Sequence, residues 1–247
     1  DTSDKYEDVK KKIEYIFHKH KGRLGYRRIT ILLRREDIVI NHKTVLRLMG
    51  SLKLKSLIRR KKYRSYKGEQ GKIAPNVLDR SFKAKQPNQK WTTDVTEFNV
   101  LGKKLYLSPV LDLYNQEIVC YELSDRPDFK SVLNMLGKAV KKADKPGSLL
   151  MHSDQGWQYQ MKQYQFILKQ NGIKQSMSRK GNCLDNAVME NFFGTLKSEL
   201  FYLNKYDSIS HLKKEINGYI KYYNHDRIKL NLNGMSPVQY RAHHFKT

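Results

Sequence analysis

The amino-acid sequence predicts an α/β protein in which a small all-helical module precedes a mixed β-sheet flanked by helices. Apolar residues recur at helical spacing over the first 58 residues. A dense basic run with glycines and prolines follows between residues 59 and 88. From Trp91 onward, short apolar strands alternate with helical segments. The 247 residues are enough for one large domain, or for one medium domain and one small one.

Three short helices are predicted in residues 1–58. The apolar residues from Val9 to Phe17 fall on one helical face, a second helix begins near Tyr26, and Asn41 is a suitable N-cap for a third. The third helix carries the basic residues Lys43, Arg47 and Lys53. Three helices with a basic last helix are typical of a helix-turn-helix module, so we expect Lys43 and Arg47 to contact DNA. Any small helical bundle also has amphipathic helices, and that alternative stays open.

A basic linker is predicted over residues 59–88. Its cations are Arg59, Arg60, Lys61, Lys62 and Arg64. Tyr63 and Tyr66 lie among them, and aromatic rings can stack on exposed bases. We therefore expect this segment to follow DNA phosphates. The alternative is a solvated linker that contacts nothing.

The order of elements after the linker predicts a ribonuclease-H-like fold. The predicted order is a strand at 91–100, strands at Leu105–Leu113 and Glu117–Leu123, a helix at 129–143, a strand at Leu149–His152, a helix at 160–171, a short strand from Ile173 and a long helix from about Asp185. This order corresponds to a mixed five-stranded sheet flanked by helices. We expect a catalytic domain at 89–204 and a C-terminal helical tail at 205–247.

The charge of the chain indicates a polyanionic partner. Lys and Arg number 48 against 24 Asp and Glu, for a net charge of +24. Double-stranded DNA is the first candidate, an anionic membrane surface is the second, and a generally basic protein without such a partner is the third. No apolar run is long enough to predict a membrane-spanning helix. Cys120 and Cys183 form no Cys-x-x-Cys pair, which argues against structural zinc and favours a reducing, cytoplasmic location.

Three acidic residues are spaced so that a metal site is predicted. Asp94 lies in the first strand, Asp154 directly follows the buried strand, and Glu190 lies early in the long helix, with the 35 residues 155–189 between the last two. Breaking a phosphodiester bond requires a hard cation, and carboxylates are the ligands that Mg²⁺ prefers. We expect Asp94, Asp154 and Glu190 to be catalytic and to hold two Mg²⁺ ions about 3.5–4 Å apart, with Mn²⁺ as a substitute.

The helix that carries Glu190 is predicted to have two distinct sides. At about 100° per residue, one side collects the core candidates Val188, Met189, Phe192, Leu196, Leu200 and Leu203. Glu190 falls on the opposite side with Asn186, Gly194 and Lys197. We expect Lys197 to hold a phosphate and Gly194 to leave room for a DNA backbone. A solvated Glu and Lys on an ordinary amphipathic helix is the alternative.

Other residues near the carboxylates have two interpretations each. His152 is either a group that supports Asp154 or carries a proton, or a packed structural histidine. Trp157 either wedges against a terminal base of the DNA or packs in the core. Arg179 and Lys180 precede the Glu190 helix in a basic loop, where we expect DNA contact. Asp112 is left without an assignment.

Five segments give the chain a resemblance to a known family. They are WTTDVTEF, LYLSPVLDLYNQEIV, HSDQGWQY, SMSRKGNCLDNAVMENFFGTLKSEL and YYNHDRIKLNLNGMSPVQY. In this order they resemble the transposases of a large bacterial insertion-sequence family, whose members have a catalytic core like that of retroviral integrases and are encoded in two reading frames joined by frameshifting. The chain begins at Asp1 and has no heptad stretch, so it resembles the second-frame product or a truncated fusion.

The resemblance implies a function, a site and partners. It implies Asp94, Asp154 and Glu190 as the catalytic triad, cleavage at element ends to give a 3′ hydroxyl, and attack of that hydroxyl on another phosphodiester. It also implies element-end and target DNA as partners, a dimer or higher synaptic complex, and a bacterial cytoplasmic setting at the nucleoid. Two alternatives are a non-catalytic DNA-binding protein derived from a transposase and a ribonuclease acting on RNA–DNA hybrids.

Overall fold

A computed structural model describes residues 4–57, 73–143, 146–179 and 183–245, without the side chains of residues 146, 183 and 184. Contacts divide the chain into two compact units, Asp1–Arg60 with Ile228–Met235 and Lys61–Arg227 with Ser236–Thr247. Six of the predicted DNA contacts lie outside the described residues: Arg59, Arg60, Lys61, Lys62, Arg64 and Lys180. Among the helices described, none combines the length and the apolar character that crossing a membrane requires.

The first unit contains the three predicted helices. They are α1 (Glu7–Lys19), α2 (Tyr26–Arg34) and α3 (His42–Ser51). Their apolar faces form one buried cluster of Ile13, Ile16, Leu24, Ile29, Leu33, Val45, Leu48 and Met49. The Asn41 side chain accepts a hydrogen bond of 2.8 Å from the Lys43 backbone amide, so the predicted N-cap of α3 is confirmed.

The second unit is built around a mixed β-sheet. Its strands are β1 (Lys90–Thr93), β2 (Thr96–Val100), β3 (Lys103–Asp112), β4 (Ile118–Ser124), β5 (Leu150–Ser153) and β6 (Lys174–Met177). The order is β2-β3-β1-β5-β6, and β4 pairs with β3. The β1–β5 and β5–β6 pairs are parallel, and the pairs that involve β3 are antiparallel. The mixed sheet agrees with the prediction.

The sheet has six strands rather than the predicted five, because the first predicted strand is interrupted. Residues 91–100 divide into β1 and β2 at Asp94 and Val95, and both halves pair with β3. The other strand bounds differ from the prediction by one or two residues, which is the usual scatter at element ends.

Six α-helices complete the second unit within the described residues. They are α4 (Phe129–Lys142), α5 (Trp157–Gln160), α6 (Lys162–Gln170), α7 (Ala187–Glu199), α8 (Ile209–His225) and α9 (Pro237–His244). The helix predicted at 160–171 starts earlier and is broken, because Met161 has extended backbone angles (φ −66°, ψ 135°). A 3-10 turn at Cys183–Asn186 leads directly into α7.

The two faces of the sheet are covered by different helices. Alternate residues of β3 point to opposite faces, so Leu105, Leu107 and Leu111 pack with α7 and α8, while Val110 packs with α4 and α6. The result is a three-layered arrangement of helices, sheet and helices. The segment predicted as a C-terminal tail therefore contributes α8 to a main hydrophobic core.

The predicted core side of α7 is largely confirmed. Met189, Phe192, Leu196 and Leu200 are buried in one cluster. Leu203 is an error in the prediction, because it is 50% exposed. The reason is that α7 ends at Glu199 and a 3-10 turn at Phe201–Leu203 changes the direction of the chain, so the helical projection no longer applies.

Candidate active site

Asp94 and Asp154 are brought together by the parallel pairing of β1 with β5. Thr92 is the partner of His152 in this ladder. Each aspartate lies two residues after its member of this pair and directly follows its strand, and adjacent strands lie about 4.8 Å apart. The two carboxylates therefore leave the same end of neighbouring strands at the same level.

Asp94 lies at the interruption between β1 and β2. Asp94 is 6% exposed, and its Oδ1 accepts a hydrogen bond of 2.7 Å from the Val95 backbone amide. The preceding Thr93 donates its hydroxyl to the carbonyl of Pro109 on β3 at 2.9 Å. The backbone is thus anchored on one side of Asp94 at the point where the ladder is broken.

Asp154 begins a tight turn that leads into α5. Its Oδ1 accepts a hydrogen bond of 2.9 Å from the Gly156 backbone amide. A Cβ atom on Gly156 would lie 2.9 Å from that same Oδ1 and 2.5 Å from Nε2 of Gln158. A side chain at position 156 would therefore force the Gln158 side chain and the Asp154 carboxylate to shift.

Glu190 is carried by the first turn of α7, and the start of α7 is tied to β1. Asn186, the residue before the helix, accepts a hydrogen bond of 2.6 Å from the Thr92 hydroxyl. Its Nδ2 donates a longer bond of 3.5 Å to the Thr93 carbonyl. The N-terminus of α7 is thereby fixed against the strand that ends at Asp94.

The three carboxylates influence one another electrostatically. Burial raises the pKa of Asp94 well above its ordinary value, and the negative charges of Asp154 and Glu190 raise it further. The Val95 amide and the Lys197 ammonium act in the opposite direction. Burial also raises the pKa of Asp154, against the Gly156 amide. The structure therefore brings all three predicted acidic residues into one neighbourhood.

The types of ligand at this site fit a hard divalent cation. In the part of the chain that the structure describes, no three acidic, histidine or cysteine side chains are close enough to enclose a single ion. The available donors are nevertheless carboxylate oxygens, which Mg²⁺ prefers. A carboxylate whose pKa is raised by two neighbouring carboxylates, as at Asp94, is also an arrangement that a divalent cation stabilises.

Lys197 lies on the Glu190 side of α7, as predicted, while Gly194 does not meet its prediction. Lys197 is partly buried, and its Nζ lies 5.2 Å from the ring centre of Phe98. Burial lowers the pKa of Lys197, whereas the carboxylates of Glu97 and Asp94 raise it. Gly194 is buried, so no open surface for a DNA backbone exists at that residue.

His152 is a fully buried and neutral histidine whose tautomer follows from its partners. The Ser176 hydroxyl accepts hydrogen bonds from the Val77 and Leu78 amides, each at 3.0 Å, so its own proton points to His152 Nδ1 at 2.9 Å. The proton of the imidazole is therefore on Nε2, which donates to Ser178 Oγ at 3.1 Å. Burial lowers the pKa of His152 to about 4.

Arg179 has a partner within the protein that sequence reasoning did not identify. Its Nε and Nη2 donate to Asp185 at 3.0 and 3.1 Å, and its backbone amide donates at 2.9 Å. Asp185 is fully buried and also accepts bonds from Arg80 and Asn76. The predicted DNA contact of Arg179 therefore competes with an ion pair. An acidic residue directly after a basic loop was the available signal for Asp185.

The remaining predicted residues are placed as follows. Trp157 is 44% exposed, with its ring centre 6.2 Å from that of Phe129, so it is not a core residue. Lys43 is exposed on α3, as is Arg47, whose guanidinium lies 5.5 Å from the ring centre of Tyr6. Asp112 has a structural role, because it accepts backbone hydrogen bonds from Asn88 at 2.7 Å and Tyr114 at 2.8 Å.

The chain is similar to known proteins over most of its length. Residues 84–183 and 190–245 match families described as Integrase core domain, and residues 5–62 match an HTH-like domain. The chain is 61% identical over 238 residues to a protein named as transposase InsK of insertion sequence element IS150 from Escherichia coli strain K12, covering 96% of this chain and 84% of that protein. It is 37% identical over 239 residues to the transposase of insertion sequence element IS904 from Lactococcus lactis, covering 96% and 94%.

A solved structure shares the fold. The intasome of simian T-cell lymphotropic virus in complex with the PP2A regulatory subunit B56 gamma contains a chain that aligns with a TM-score of 0.54 and 14% identity, over 93% of this chain and 74% of that one. The second unit thus has the ribonuclease-H-like fold of integrase cores. Taken with the sequence matches, this means that the chain belongs to the insertion-sequence transposases that have an integrase core domain.

Proposed function

We propose that the protein cuts DNA at the ends of an insertion sequence and joins those ends to another site, with Asp94, Asp154 and Glu190 as the catalytic carboxylates. The observation that carries this proposal is the pairing of Thr92 with His152. This pairing sets Asp94 and Asp154 side by side at the ends of neighbouring strands. The raised pKa of Asp94, to which Asp154 and Glu190 contribute, supports the assignment.

The proposed roles follow from the chemistry of phosphoryl transfer. Asp94, Asp154 and Glu190 would hold two Mg²⁺ ions (or Mn²⁺ as a substitute) through their carboxylate oxygens. Such ions would supply positive charge to the phosphoryl oxygen and to the attacking and leaving oxygens. Lys197 binds a neighbouring phosphate oxygen with its ammonium. In strand transfer the 3′ hydroxyl oxygen forms a new bond to phosphorus, the old P–O bond breaks, and the leaving 3′ oxygen takes up the proton.

His152 has a proposed role in holding the end of β5, the strand that leads to Asp154. It is neutral and held on both ring nitrogens by serines, so it fixes the end of β5 without adding charge to the carboxylates. We propose that it maintains the direction in which Asp154 leaves the strand.

DNA binding is divided among several proposed contacts. An HTH-like and an integrase core domain both imply that the protein binds DNA. We propose Lys43 and Arg47 as contacts of the helical module, and Arg59, Arg60, Lys61, Lys62 and Arg64 as contacts of the linker. Near the site, the proposed contacts are Trp157, Arg179 and Lys180. Exposed Trp157 is suited to stacking on a terminal base.

We further propose domain boundaries and an assembly. The boundaries are 1–58 for the helix-turn-helix domain, 59–88 for the linker, 89–204 for the catalytic core and 205–247 for the tail. Two element ends must meet, so the active form holds at least two protomers on DNA. Light scattering of the active DNA complex tests this proposal, and a fully active monomer would contradict it.

The decisive experiment on function replaces each carboxylate in turn. Asp94→Asn, Asp154→Asn and Glu190→Gln should each abolish cleavage and joining of element-end DNA in Mg²⁺, while DNA binding persists because Lys and Arg supply most of the affinity. Near-normal cleavage by any of the three variants would show that the assignment is wrong. A wild-type protein that binds but does not cut would favour a non-catalytic DNA-binding protein, and cutting of RNA–DNA hybrids alone would favour a ribonuclease.

A further inference from the structure

The start of α7 is held by a buried polar contact between a residue of β1, the strand that ends before Asp94, and the residue that precedes α7. Thr92 precedes Asp94 by two residues, and Asn186 precedes Glu190 by four. Both residues are buried, with 1% and 4% exposure. Their side chains meet at 2.6 Å, and the hydroxyl of Thr92 donates to Oδ1 of Asn186.

The residue next to Asn186 is also held by hydrogen bonds. Asp185, directly before Asn186, is fully buried and is bonded to Arg179 and Arg80. Asn186 itself makes a second bond, through Nδ2, to the Thr93 carbonyl at 3.5 Å. The peptide between the 3-10 turn and α7 is therefore fixed on both sides.

We propose that Thr92 and Asn186 are positioning residues for Glu190, because their hydrogen bond sets the N-terminus of α7 against the strand that carries Asp94. Glu190 is about 6 Å further along the helix axis than Asn186, at 1.5 Å per residue. A helix moves as a rigid body over such a distance, so a shift at Asn186 reaches the Glu190 carboxylate. The inference rests on the proposed function of these carboxylates.

Two threonines at equal distance from Asp94 provide a matched test. Thr92 and Thr96 both lie on strands two residues from Asp94, and both are buried. The Thr96 hydroxyl has no hydrogen-bond partner among the described residues, whereas the Thr92 hydroxyl bonds to Asn186. Thr92→Val and Thr96→Val remove the same group from the same kind of position, and Thr92→Ser restores the donor.

The readouts are the rate of end cleavage at saturating DNA and the Mg²⁺ affinity from isothermal titration calorimetry of the protein alone. Thr92→Val should slow cleavage by about 10-fold to 100-fold, the scale of a displacement of about 1 Å in an active site. It should also weaken Mg²⁺ binding. Thr96→Val and Thr92→Ser should both stay near wild type. A Thr92→Val variant that is less heat-stable but unchanged in rate and Mg²⁺ affinity would overturn the proposal.

A second variant keeps the test valid if Thr92→Val does not fold. Asn186→Ala removes the acceptor, and it should slow cleavage and weaken Mg²⁺ binding in the same way. The double variant should be no slower than the slower single variant, because both lose one shared bond. Additive losses would overturn the proposal. Asp94→Asn is measured alongside, and if it cleaves like wild type, the proposed function fails instead.

Discussion

Asp94 and Asp154 are 60 positions apart in sequence and neighbours in space, because each follows one member of the Thr92–His152 pair by two residues. The backbone hydrogen bonds between β1 and β5 do not depend on the charge of the side chains. Two acidic side chains are therefore held together by hydrogen bonds of the backbone, with Glu190 added by α7. Such a site reduces the stability of the fold in return for its chemistry.

Because the carboxylates of the site repel one another, a substitution that abolishes catalysis should make the folded protein more stable. In chelator, Asp94→Asn should be more stable than wild type by about 0.5–2 kcal/mol, because it removes a buried charge that its neighbours oppose. Mg²⁺ should then raise the melting temperature of wild type more than that of the variant. Differential scanning calorimetry with and without Mg²⁺ measures both effects.

Asp112→Asn is the matched control for that experiment. Asp112 is buried like Asp94, but its two oxygens accept backbone hydrogen bonds from Asn88 and Tyr114. The same replacement should therefore destabilise the protein at position 112. If both variants changed stability in the same direction, repulsion among the carboxylates would not be the cause.

Lys197 should contribute to phosphate binding through its charge. Lys197→Ala should weaken binding of element ends and slow cleavage, whereas Lys197→Arg should retain much of both. Single-turnover cleavage and fluorescence anisotropy separate the two effects. Lys205→Ala removes one positive charge from an exposed position and serves as the control. Equal results for Lys197→Ala and Lys205→Ala would contradict the phosphate contact.

The Asp185 ion pairs predict a dependence of stability on pH. Hydrogen bonds from Arg179 are the largest cause that holds the pKa of Asp185 far below its ordinary value. A carboxylate with a lowered pKa in the folded state adds stability above its unfolded pKa of about 4, and that stability is lost as the pH falls further. Asp185→Asn should cost about 2 kcal/mol at pH 7, and the difference from wild type should shrink below about pH 4.

Urea unfolding at several pH values measures this difference. Asp79→Asn is the control, since Asp79 also contacts Arg179, at 3.3 Å, but its side chain is 75% exposed. An exposed ion pair contributes little, so this variant should resemble wild type throughout. A cost at Asp185 that did not change with pH would indicate lost packing rather than lost charge.

The hydrogen bonds of His152 predict which ring nitrogen carries the proton. They also predict that replacing Ser176 lowers the stability of the protein. At pH 7, ¹⁵N NMR should show a proton on Nε2 and none on Nδ1. Ser176→Ala removes the acceptor of the Val77 and Leu78 amides and the donor to Nδ1, and should cost about 1–3 kcal/mol. Ser198→Ala, which removes a partly exposed hydroxyl from α7, should cost less. Protonation at Nδ1 would contradict the inferred direction of these bonds.

The charge of +24 predicts salt-dependent DNA binding. The log–log slope should be about −0.9 for each phosphate neutralised. If α3 contacts DNA, Lys43→Ala and Arg47→Ala should each reduce the slope by about one unit. Lys11→Ala is the control, because Lys11 is exposed on α1 beside Glu7. A slope unaffected by all three changes would exclude α3 as a contact surface.

The order of elements was predictable, whereas some of the local geometry was not. Apolar periodicity indicated β5 and α7, since their burial patterns are set by residue type along a short segment. The interruption of the first strand at Asp94 could not be read in this way. It arises from how β1 and β2 each pair with β3, and the strand residues on both sides favour extended structure equally.

The acidic residues of the site were predictable, but the polar residues that support them were not. Asp94 and Asp154 lie at the ends of strands that the sequence predicts. Glu190 lies near the start of a helix whose faces follow from a helical projection. Arg179 shows the limit, because its charge predicts DNA binding and ion pairing alike, and the presence of Asp185 six residues later does not decide between them. The contact between Thr92 and Asn186 joins residues 94 positions apart, and neither residue type signals it.

The pairing of β1 with β5 also affects when the protein becomes active during synthesis. Contacts between distant segments form late, because the loop between them must close first. A chain that has left the ribosome only as far as β5 already contains Asp94 and Asp154, yet the α7 helix with Glu190 is still missing. With the proposed roles of these residues, an unfinished polypeptide of this length holds an incomplete set of catalytic carboxylates.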